Sequence, residues 1–253
     1  MPTLLTARVS AAAHIALPHA NPLSVQQVAD MISFIAHAKP ITALDVGCGP
    51  GALTIALATK CSARVLGIDI SEPFLERAKL ASMGLAMLGN ADFMNASPLS
   101  LRNETFDAIL CVGSSQAIGT PIEALSWCGD RLSPGGLLLF ADLTWRRRPE
   151  PRFIEFLGVE ESLYWSEDHE VSVFADAGLR VLQIERASPQ AWKAYEDAVF
   201  EGSQRFAARL DPEEGAHVLA RANAWKTAFD AYGANCLGFT AYLATQTGGG
   251  GGK

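Results

Sequence analysis

The stretch LDVGCGPGAL, which covers residues 44–53, decides the fold predicted for this chain. An apolar run leads into it and a run with helical periodicity leads out of it, so its glycines fall in a turn between a strand and a helix. Glycines in such a turn let the backbone approach a ligand closely and adopt positive φ angles. The N–H groups that begin the following helix favour a carboxylate or a phosphate. The stretch therefore predicts a ligand site.

Two glycine patterns overlap in this turn. Gly47, Gly49 and Ala52 fit G-x-G-x-x-G/A, the fingerprint of dinucleotide binding. Asp45 and Gly51 extend the same glycines to D-x-G-x-G-x-G. A carboxylate beside a pyrophosphate costs on the order of 1–4 kcal/mol at close range, whereas a ligand with a positive centre tolerates it. S-adenosylmethionine carries a sulfonium and an ammonium, so Asp45 favours this ligand over NAD(P).

Composition and charge narrow the class of protein. The chain has 253 residues, 49% of them hydrophobic, and a formal net charge of −7. The acidic balance argues against a nucleic-acid partner, since the only basic cluster is the short run 146–148. Wholly apolar stretches such as 137–141 have strand length, so no membrane span is expected.

The cysteines indicate the cellular compartment. Their number, five, is odd, they are scattered, and none forms a C-x-x-C or Cys/His pair with metal-ligand spacing. We therefore expect reduced thiols, no metal and a cytoplasmic protein, since the first residues also lack the pattern of a signal peptide.

Strands and helices alternate along most of the chain. The pattern predicts right-handed βαβ units and a mainly parallel sheet, with ligands at the carboxyl ends of the strands. Residues 1–22 are predicted to be irregular or weakly helical, 133–136 to form a turn, and the arginine-rich segment after the fifth strand to form a loop. The predicted strands are 41–46, 64–70, one within 85–96, 106–112, 137–143, 179–184 and 238–245.

The pattern changes between the last two strands. Asp211, Pro212 and Glu214 form a helix-start signature, and apolar residues recur at helical spacing on both sides of it. The sequence thus predicts a helical insert over 189–233, which either packs on the sheet as core or acts as a lid over the strand ends. We expect a single domain over 1–247, followed by a flexible glycine-rich tail at 248–253.

Four segments in register resemble the motifs of class I S-adenosylmethionine-dependent methyltransferases: 44–52, 65–71, 105–110 and 132–139. Beyond residue 145 the chain is similar to a small-molecule subgroup with a helical insert before its last strand. The resemblance implies an α/β, Rossmann-like, seven-stranded sheet of order 3-2-1-4-5-7-6. It also implies an antiparallel seventh strand, helices on both faces and a helical insert between strands 6 and 7.

The cofactor residues follow from these motifs. Asp69 ends the second strand, where a carboxylate can accept both hydroxyls of an adenosine ribose. The family often has an acid after the third strand to bind the adenine amine; counting back from the fourth strand places Asn95 there, with Asp92 as the alternative if the register differs. An asparagine oxygen also accepts from that amine. The predicted contacts are Asp45, Gly47, Cys48, Gly49, Gly51, Asp69, Ile70, Asn95, Ala96 and Cys111.

The residues that contact the methyl acceptor are harder to predict than those that contact the cofactor, because the family has no universal catalytic residue. Asp142 ends the fifth strand and could orient or deprotonate the acceptor, and His14 lies in a segment that often folds over the pocket in this family. The predicted substrate contacts are Ser114, Ser115 and Trp145. For Trp192, Tyr195 and Trp225, packing in the core is the default and lining a substrate site the alternative.

The predicted reaction is in-line transfer of a methyl group to a small-molecule acceptor, with the reactants aligned in a dry pocket. An NAD(P)-dependent oxidoreductase and a non-catalytic S-adenosylmethionine-binding protein are the alternatives, and nucleic-acid methylation is disfavoured by the charge. We expect a monomer or a homodimer. The sequence does not identify the acceptor.

Overall fold

The structure is a computed structural model that describes residues 4–83, 90–102 and 104–247, with side chains from residue 8 onward. The tail predicted at 248–253 lies outside the described residues, as does the beginning of the window 85–96 that was predicted to hold the third strand.

The described residues include seven strands, which form one sheet. They are β1 (Thr42–Val46), β2 (Arg64–Asp69), β3 (Asn90–Asn95), β4 (Phe106–Val112), β5 (Leu132–Trp145), β6 (Leu179–Arg186) and β7 (Leu237–Gln246). Their order in the sheet is β3-β2-β1-β4-β5-β7-β6. Strands β1 to β5 pair in parallel, and β7 pairs antiparallel with β5 and β6. The predicted strand order and fold class are confirmed.

Helices flank these strands and fill the connection before β7. They are α1 (Leu4–Ala13), α2 (Val25–His37), α3 (Ala52–Lys60), α4 (Glu72–Met83), α5 (Pro121–Gly129), α6 (Pro151–Leu157), α7 (Glu170–Asp176), α8 (Pro189–Ala207), α9 (Pro212–Ala228) and the short α10 (Ala234–Cys236). A π-helical turn, Phe229–Gly233, joins α9 to α10.

Side-chain caps fix where several helices begin. Ser24 caps α2 in a reciprocal capping box with Gln27, and Thr120 caps α5 in the same way with Glu123. Asp211 accepts two backbone N–H bonds at the start of α9. The start at Asp211 agrees with the sequence prediction, because the capping signal is local.

Three local predictions need correction. The segment 1–22 contains a regular helix, α1. The predicted turn at 133–136 lies inside β5, where the pairing with β4 shifts register and Gly135 adopts φ +77°, so the extra residues are absorbed as an irregularity within the strand. The predicted arginine-rich loop is followed by α6, which starts with a proline and ends at Gly158 in the left-handed region.

Hydrophobic side chains cover both faces of the sheet. One core cluster joins the sheet to α2, α3 and the insert, and includes Leu139, Ile32 and Trp192. The other joins it to α5 and α7 and includes Phe140 and Phe174. Leu139 and Phe140 are neighbours in β5 and point to opposite faces, which is the alternation expected of a strand buried on both sides. Each fully buried Leu or Phe contributes about 1.5–3 kcal/mol.

The insert is a hairpin of α8 and α9 that covers one end of the sheet. Trp192 packs edge-on against Phe239 of β7 with 5.9 Å between ring centroids, and stacks on Phe229 at 6.2 Å. The carboxyl end of α1 lies directly on α8, because a Cβ at Gly202 would come within 2.3 Å of the Ala13 carbonyl oxygen. The N-terminal segment and the insert therefore pack together at the same end of the sheet.

Candidate functional site

The glycine turn, residues 47–51, connects β1 to α3 and is fixed against its neighbours. Gly47 and Gly49 adopt φ angles of +64° and +52°. A Cβ at Gly47 would lie 2.4 Å from the Cβ of Ser114, whose hydroxyl donates to the Val46 carbonyl at 2.5 Å. A Cβ at Gly49 would meet nothing within 4 Å among the described residues. The turn is thus close-packed on the side of β4 and open at Gly49.

The start of α3 has no side-chain cap. Gly51 occupies the N-cap position with φ 80° and has no side chain that could cap the helix, and the Thr54 N–H in the first turn faces the Asp45 carboxylate. The N–H groups at a helix start, together with the helix dipole, favour a carboxylate. The open side of the glycine turn therefore offers donors to an anionic group.

Asp69 ends β2 and holds the glycine turn in place. Its carboxylate accepts the Gly49 N–H at 2.9 Å and the Ser71 N–H at 2.8 Å. Burial raises the pKa of Asp69, and these backbone N–H bonds oppose the shift. A carboxylate has about four lone-pair sites, so Asp69 retains capacity for hydroxyl donors.

Asp45 lies beneath the glycine turn and is 2% exposed. The Thr54 hydroxyl donates to its carboxylate at 2.6 Å. Burial raises the pKa of Asp45 to about 7; the Thr54 bond opposes this shift and the nearby charge of Asp69 adds to it. A cation bound above the turn would lower this pKa again by favouring the ionised form.

The remaining predicted cofactor residues lie around the ends of β2, β3 and β4. Ile70 is 55% exposed directly after Asp69, which suits stacking against a flat ring. The Asn95 amide donates to Glu72 at 2.5 Å, so Oδ1 is the Asn95 atom that can accept from a ligand. The Ala96 N–H donates to the Asp69 carbonyl at 3.2 Å.

The two cysteines predicted to contact the cofactor are buried. Cys48 is 5% exposed in the glycine turn, and burial raises the pKa of its thiol, with the Asp45 and Asp69 carboxylates adding to the shift. Cys111 is fully buried in β4, 3.4 Å from the Ser114 hydroxyl. The position of Cys48 disfavours a thiolate, and Cys111 is fully buried, so both side chains contribute packing to the site.

A second space, the strand-end cavity, opens beyond the carboxyl ends of β4 and β5. Its volume is about 330 Å³. Strands β1, β4 and β5 are adjacent, so the ends of β1 and β5 are separated by two strand spacings, roughly 10 Å. The cavity is lined by residues 20–22, Gly113, Ser115, Gln116, Gly119, Pro121, Asp142, Leu143, Leu163, Tyr164, Trp192, Tyr195, Glu196, Trp225 and Phe239.

Asp142 is a buried acid on the wall of this cavity and is 6% exposed. Its Oδ1 accepts the Leu143 N–H at 2.7 Å, while Oδ2 makes no hydrogen bond with the described residues. Burial raises the pKa of Asp142; the nearby Ser115 hydroxyl and the Leu143 N–H oppose the shift.

Glu196 is a second buried acid on the same wall, and the sequence analysis missed it. The indole N–H groups of Trp192 and Trp225 donate to its two oxygens at 3.3 and 2.7 Å. Burial raises the pKa of Glu196, and these two bonds oppose the shift. The signal was present in the sequence, because Glu196 follows Trp192 by four residues and so shares the apolar face of α8.

His14 lies outside the strand-end cavity and reaches it through Tyr195. Its Nδ1 donates to the Ser10 carbonyl at 2.7 Å, so Nε2 of the neutral ring accepts from the Tyr195 hydroxyl at 2.8 Å. Burial lowers the pKa of His14 and so favours this neutral form. His14 also lines a separate cavity of about 510 Å³ between α1, α8 and α9.

The three predicted substrate residues occupy different places. Ser115 lines the strand-end cavity, whereas Ser114 lies under the glycine turn. Trp145 is 4% exposed, donates its indole N–H to the Glu161 carbonyl at 2.8 Å and packs edge-on against Tyr164. The structure thus places Trp145 behind the cavity wall, where it supports Tyr164.

The described residues contain neither a cluster of metal ligands nor a helix that could span a membrane. Within residues 4–83, 90–102 and 104–247, no group of three or more Cys, His, Asp or Glu side chains is arranged to hold a metal ion. No helix in those same ranges is both long and apolar enough to cross a membrane.

Comparison with known proteins matches the glycine turn to a described family. The family model of a methyltransferase domain matches residues 43–136. The uncharacterized protein YjhP of Escherichia coli (strain K12) is 28% identical over 224 residues, which cover 87% of this chain and 90% of that protein. The ubiquinone biosynthesis O-methyltransferase of Colwellia psychrerythraea is 31% identical over 49% of this chain and 53% of its own, so the chain spans about half of that relative.

Solved structures share the fold over nearly the whole chain. The structure of YjhP from E. coli has a TM-score of 0.84 at 24% identity, covering 94% of this chain and 99% of that one. An S-adenosylmethionine-dependent methyltransferase from Thiobacillus denitrificans, solved in complex with S-adenosyl-L-homocysteine, has a TM-score of 0.83 at 22% identity and covers 94% and 98%.

Proposed function

We propose that this chain, which belongs to the class I S-adenosylmethionine-dependent methyltransferases, moves a methyl group to a small molecule in the strand-end cavity. The observation that carries this proposal is the placement of the cavity. It opens at the ends of β4 and β5, next to the glycine turn at the end of β1. The complex of the T. denitrificans structure with S-adenosyl-L-homocysteine supports the choice of methyl donor.

The residues of the glycine turn fit S-adenosylmethionine. We assign the ribose hydroxyls to Asp69, and the methionine carboxylate to the start of α3 next to Gly49. Asp45 would hold the methionine ammonium, and Ile70 and Asn95 would hold the adenine. When bound, S-adenosylmethionine supplies a methyl group on a positively charged sulfur.

The cavity walls orient the acceptor and exclude water. A transfer between aligned atoms needs the nucleophile, the methyl carbon and the leaving sulfur in line, and a dry site strengthens every polar contact within it. The insert over 189–233 supplies Trp192, Tyr195, Glu196 and Trp225 to the wall. We propose that this insert is the lid of a single domain spanning 1–247, in a protein that is a monomer or a homodimer.

Calorimetry of S-adenosylmethionine binding tests the cofactor site. We expect Asp69→Ala to weaken binding by at least about tenfold, roughly 1.4 kcal/mol, because the ribose hydroxyls lose their acceptor. Asp130→Ala, an exposed acid at the end of α5, is the matched control and should bind normally. Unchanged affinity in Asp69→Ala would contradict the ribose assignment.

A labelled-methyl assay tests the reaction. The protein is incubated with methyl-labelled S-adenosylmethionine and a panel of phenols, thiols, amines and halides, and label in a small product supports the proposal. Binding of the donor without transfer to any acceptor supports the non-catalytic alternative. Binding of NADH in place of S-adenosylmethionine supports the oxidoreductase alternative.

A further inference from the structure

The strand-end cavity is acidic and has aromatic walls. Its charged lining side chains are Asp142 and Glu196, and no lysine, arginine or histidine of the described chain lines it. Tyr164, Trp192 and Trp225 belong to its aromatic surface. Carboxylates repel an anionic ligand and attract a cation, and the faces of aromatic rings also attract cations. The chemistry of the wall is therefore complementary to a positive charge.

One oxygen in this wall has an unfulfilled hydrogen-bonding requirement. Asp142 is 6% exposed, and its Oδ2 makes no hydrogen bond of good geometry with the described residues, although the Ser115 hydroxyl lies beside the carboxyl group. A buried polar atom without a partner costs about 1–3 kcal/mol, and more when it is charged. A ligand that donates a hydrogen bond to Oδ2 removes this cost, so Asp142 marks the point where a donor group of the acceptor binds.

Glu196 has a different part in the wall. Both of its oxygens already accept indole N–H groups, from Trp192 and Trp225. Glu196 therefore adds a second acidic group to the wall, close to Lys226, whereas Oδ2 of Asp142 is the oxygen without a well-formed hydrogen bond. The two acids together specify a ligand that is both cationic and a hydrogen-bond donor.

We propose that the methyl acceptor is a small amine that enters the strand-end cavity as a cation and donates an N–H to Oδ2 of Asp142. This inference rests on the proposed function, because it identifies the acceptor of that transfer. The volume of about 330 Å³ suits a small amine, such as one with a single ring or a short chain. Phosphorylated or carboxylated acceptors are excluded by the charge of the wall.

Transfer to an amine begins with the loss of a proton, because an ammonium has no lone pair. Oδ2 of Asp142 accepts that proton, and the freed nitrogen lone pair forms the new N–CH₃ bond. The S–CH₃ bond breaks as this bond forms, and its electron pair remains on sulfur as S-adenosylhomocysteine. The product is a methylammonium cation, and the proton on Asp142 returns to solvent. Burial of Asp142 suits it to hold a proton, because burial raises its pKa.

A charge series tests recognition without any turnover. Benzylamine, benzyl alcohol and benzoate share one ring and differ in charge at neutral pH, and their binding quenches the fluorescence of Trp192 and Trp225 in the cavity wall. We expect benzylamine to bind at least about tenfold tighter than benzyl alcohol, and benzoate weakest, because the wall favours a cation. Equal binding of the three probes, or tightest binding of benzoate, would overturn the proposal.

Asp142→Asn tests the residue, since the amide keeps an acceptor for the Leu143 N–H and has nearly the same shape. The variant should lose the preference for benzylamine over benzyl alcohol while its affinity for S-adenosylmethionine stays unchanged. Asp197→Asn is the control, because Asp197 lies on α8 in ion pairs with Lys193 and Lys226, does not line the strand-end cavity, and its substitution changes the net charge equally. If Asp142→Asn fails to fold, the charge series on the unaltered protein still tests whether the cavity prefers a cation.

The labelled-methyl assay then separates this inference from the proposed function. Label in amines, with activity of Asp142→Asn recovering as rising pH deprotonates the free amine, supports both. Label in phenols or thiols but not in amines overturns the inference and leaves the proposed function standing. Failure of the protein to bind S-adenosylmethionine overturns the proposed function itself.

Discussion

The glycine turn and the strand-end cavity lie at neighbouring strand ends but are built in different ways. The turn uses residues from Asp45 to Asp69, mainly through backbone atoms and one carboxylate. The cavity uses side chains from residue 20 to Phe239, drawn from the N-terminal segment, two strand ends and the insert. A short motif is thus enough to specify the donor site, whereas the acceptor site exists only once distant segments have packed together.

The largest expected effect lies in the turn, where a methyl group tests its close packing. Gly47→Ala combines a left-handed φ with a Cβ placed 2.4 Å from the Cβ of Ser114. We expect a loss of roughly 2–5 kcal/mol of unfolding free energy, the sum of backbone strain and overpacking. Gly49→Ala, with similar φ but open space, should lose only about 1–2 kcal/mol. Denaturant unfolding measures both, and equal losses would remove the packing argument.

A smaller loss of stability is expected for a substitution at Tyr242, which is buried in the sheet and should affect neither site. The hydroxyl of Tyr242 accepts the Trp165 indole N–H and donates to Glu170, each at 3.0 Å. Tyr242→Phe should cost about 1–3 kcal/mol of stability, because buried partners lose their hydrogen bonds. Thermal unfolding measures this loss, and calorimetry should show normal affinity for S-adenosylmethionine. A large drop in that affinity would mean that the donor site depends on packing far from the turn.

A substitution in the insert tests binding of the acceptor separately from binding of S-adenosylmethionine. Trp225→Phe keeps an aromatic ring in the wall but removes the N–H that Glu196 accepts at 2.7 Å. We expect the KM for the acceptor to rise about three- to tenfold, near 1 kcal/mol, with S-adenosylmethionine affinity unchanged. Trp127→Phe on α5 is the matched control. Equal loss of donor and acceptor binding would show that the insert supports the whole fold rather than the cavity.

The smallest expected effect is the release of protons from Asp45 when a cation binds at the glycine turn. Asp45 has an ordinary pKa of 3.8 and a folded pKa of about 7, so it favours the folded state most below pH 4 and this contribution declines as the pH rises to 7. Near pH 7 about half of Asp45 is protonated, and a bound cation should expel that fraction. Calorimetry in buffers of different ionisation enthalpy measures this release. Asp45→Asn should abolish it, and release that persists would place the ammonium elsewhere.

The same contrast explains what could be predicted from the sequence. The bounds of β4 and the strand order agree with the prediction, because apolar periodicity and the motif resemblance both lie largely within residues 40–145. The sequence analysis did not predict Glu196 as a site residue. A single acidic residue among the apolar residues of a helix indicates a site only once its partners, the indoles of Trp192 and Trp225, are known. Trp145 was predicted as a substrate contact; it packs edge-on against Tyr164, which lines the strand-end cavity, and this contact depends on the packed segment before α7.

The position of β7 also sets the order in which the two sites can be completed during synthesis. Strand β7 lies between β5 and β6, so β6 joins the described sheet only through β7. The strands of the donor site are all made once residue 112 has left the ribosome. By contrast, β6 has no strand partner in the described sheet until the last strand has been made, and Trp192 of α8 packs on Phe239 of that same strand. The strands of the proposed donor site are therefore synthesised well before the last segments of the proposed acceptor site.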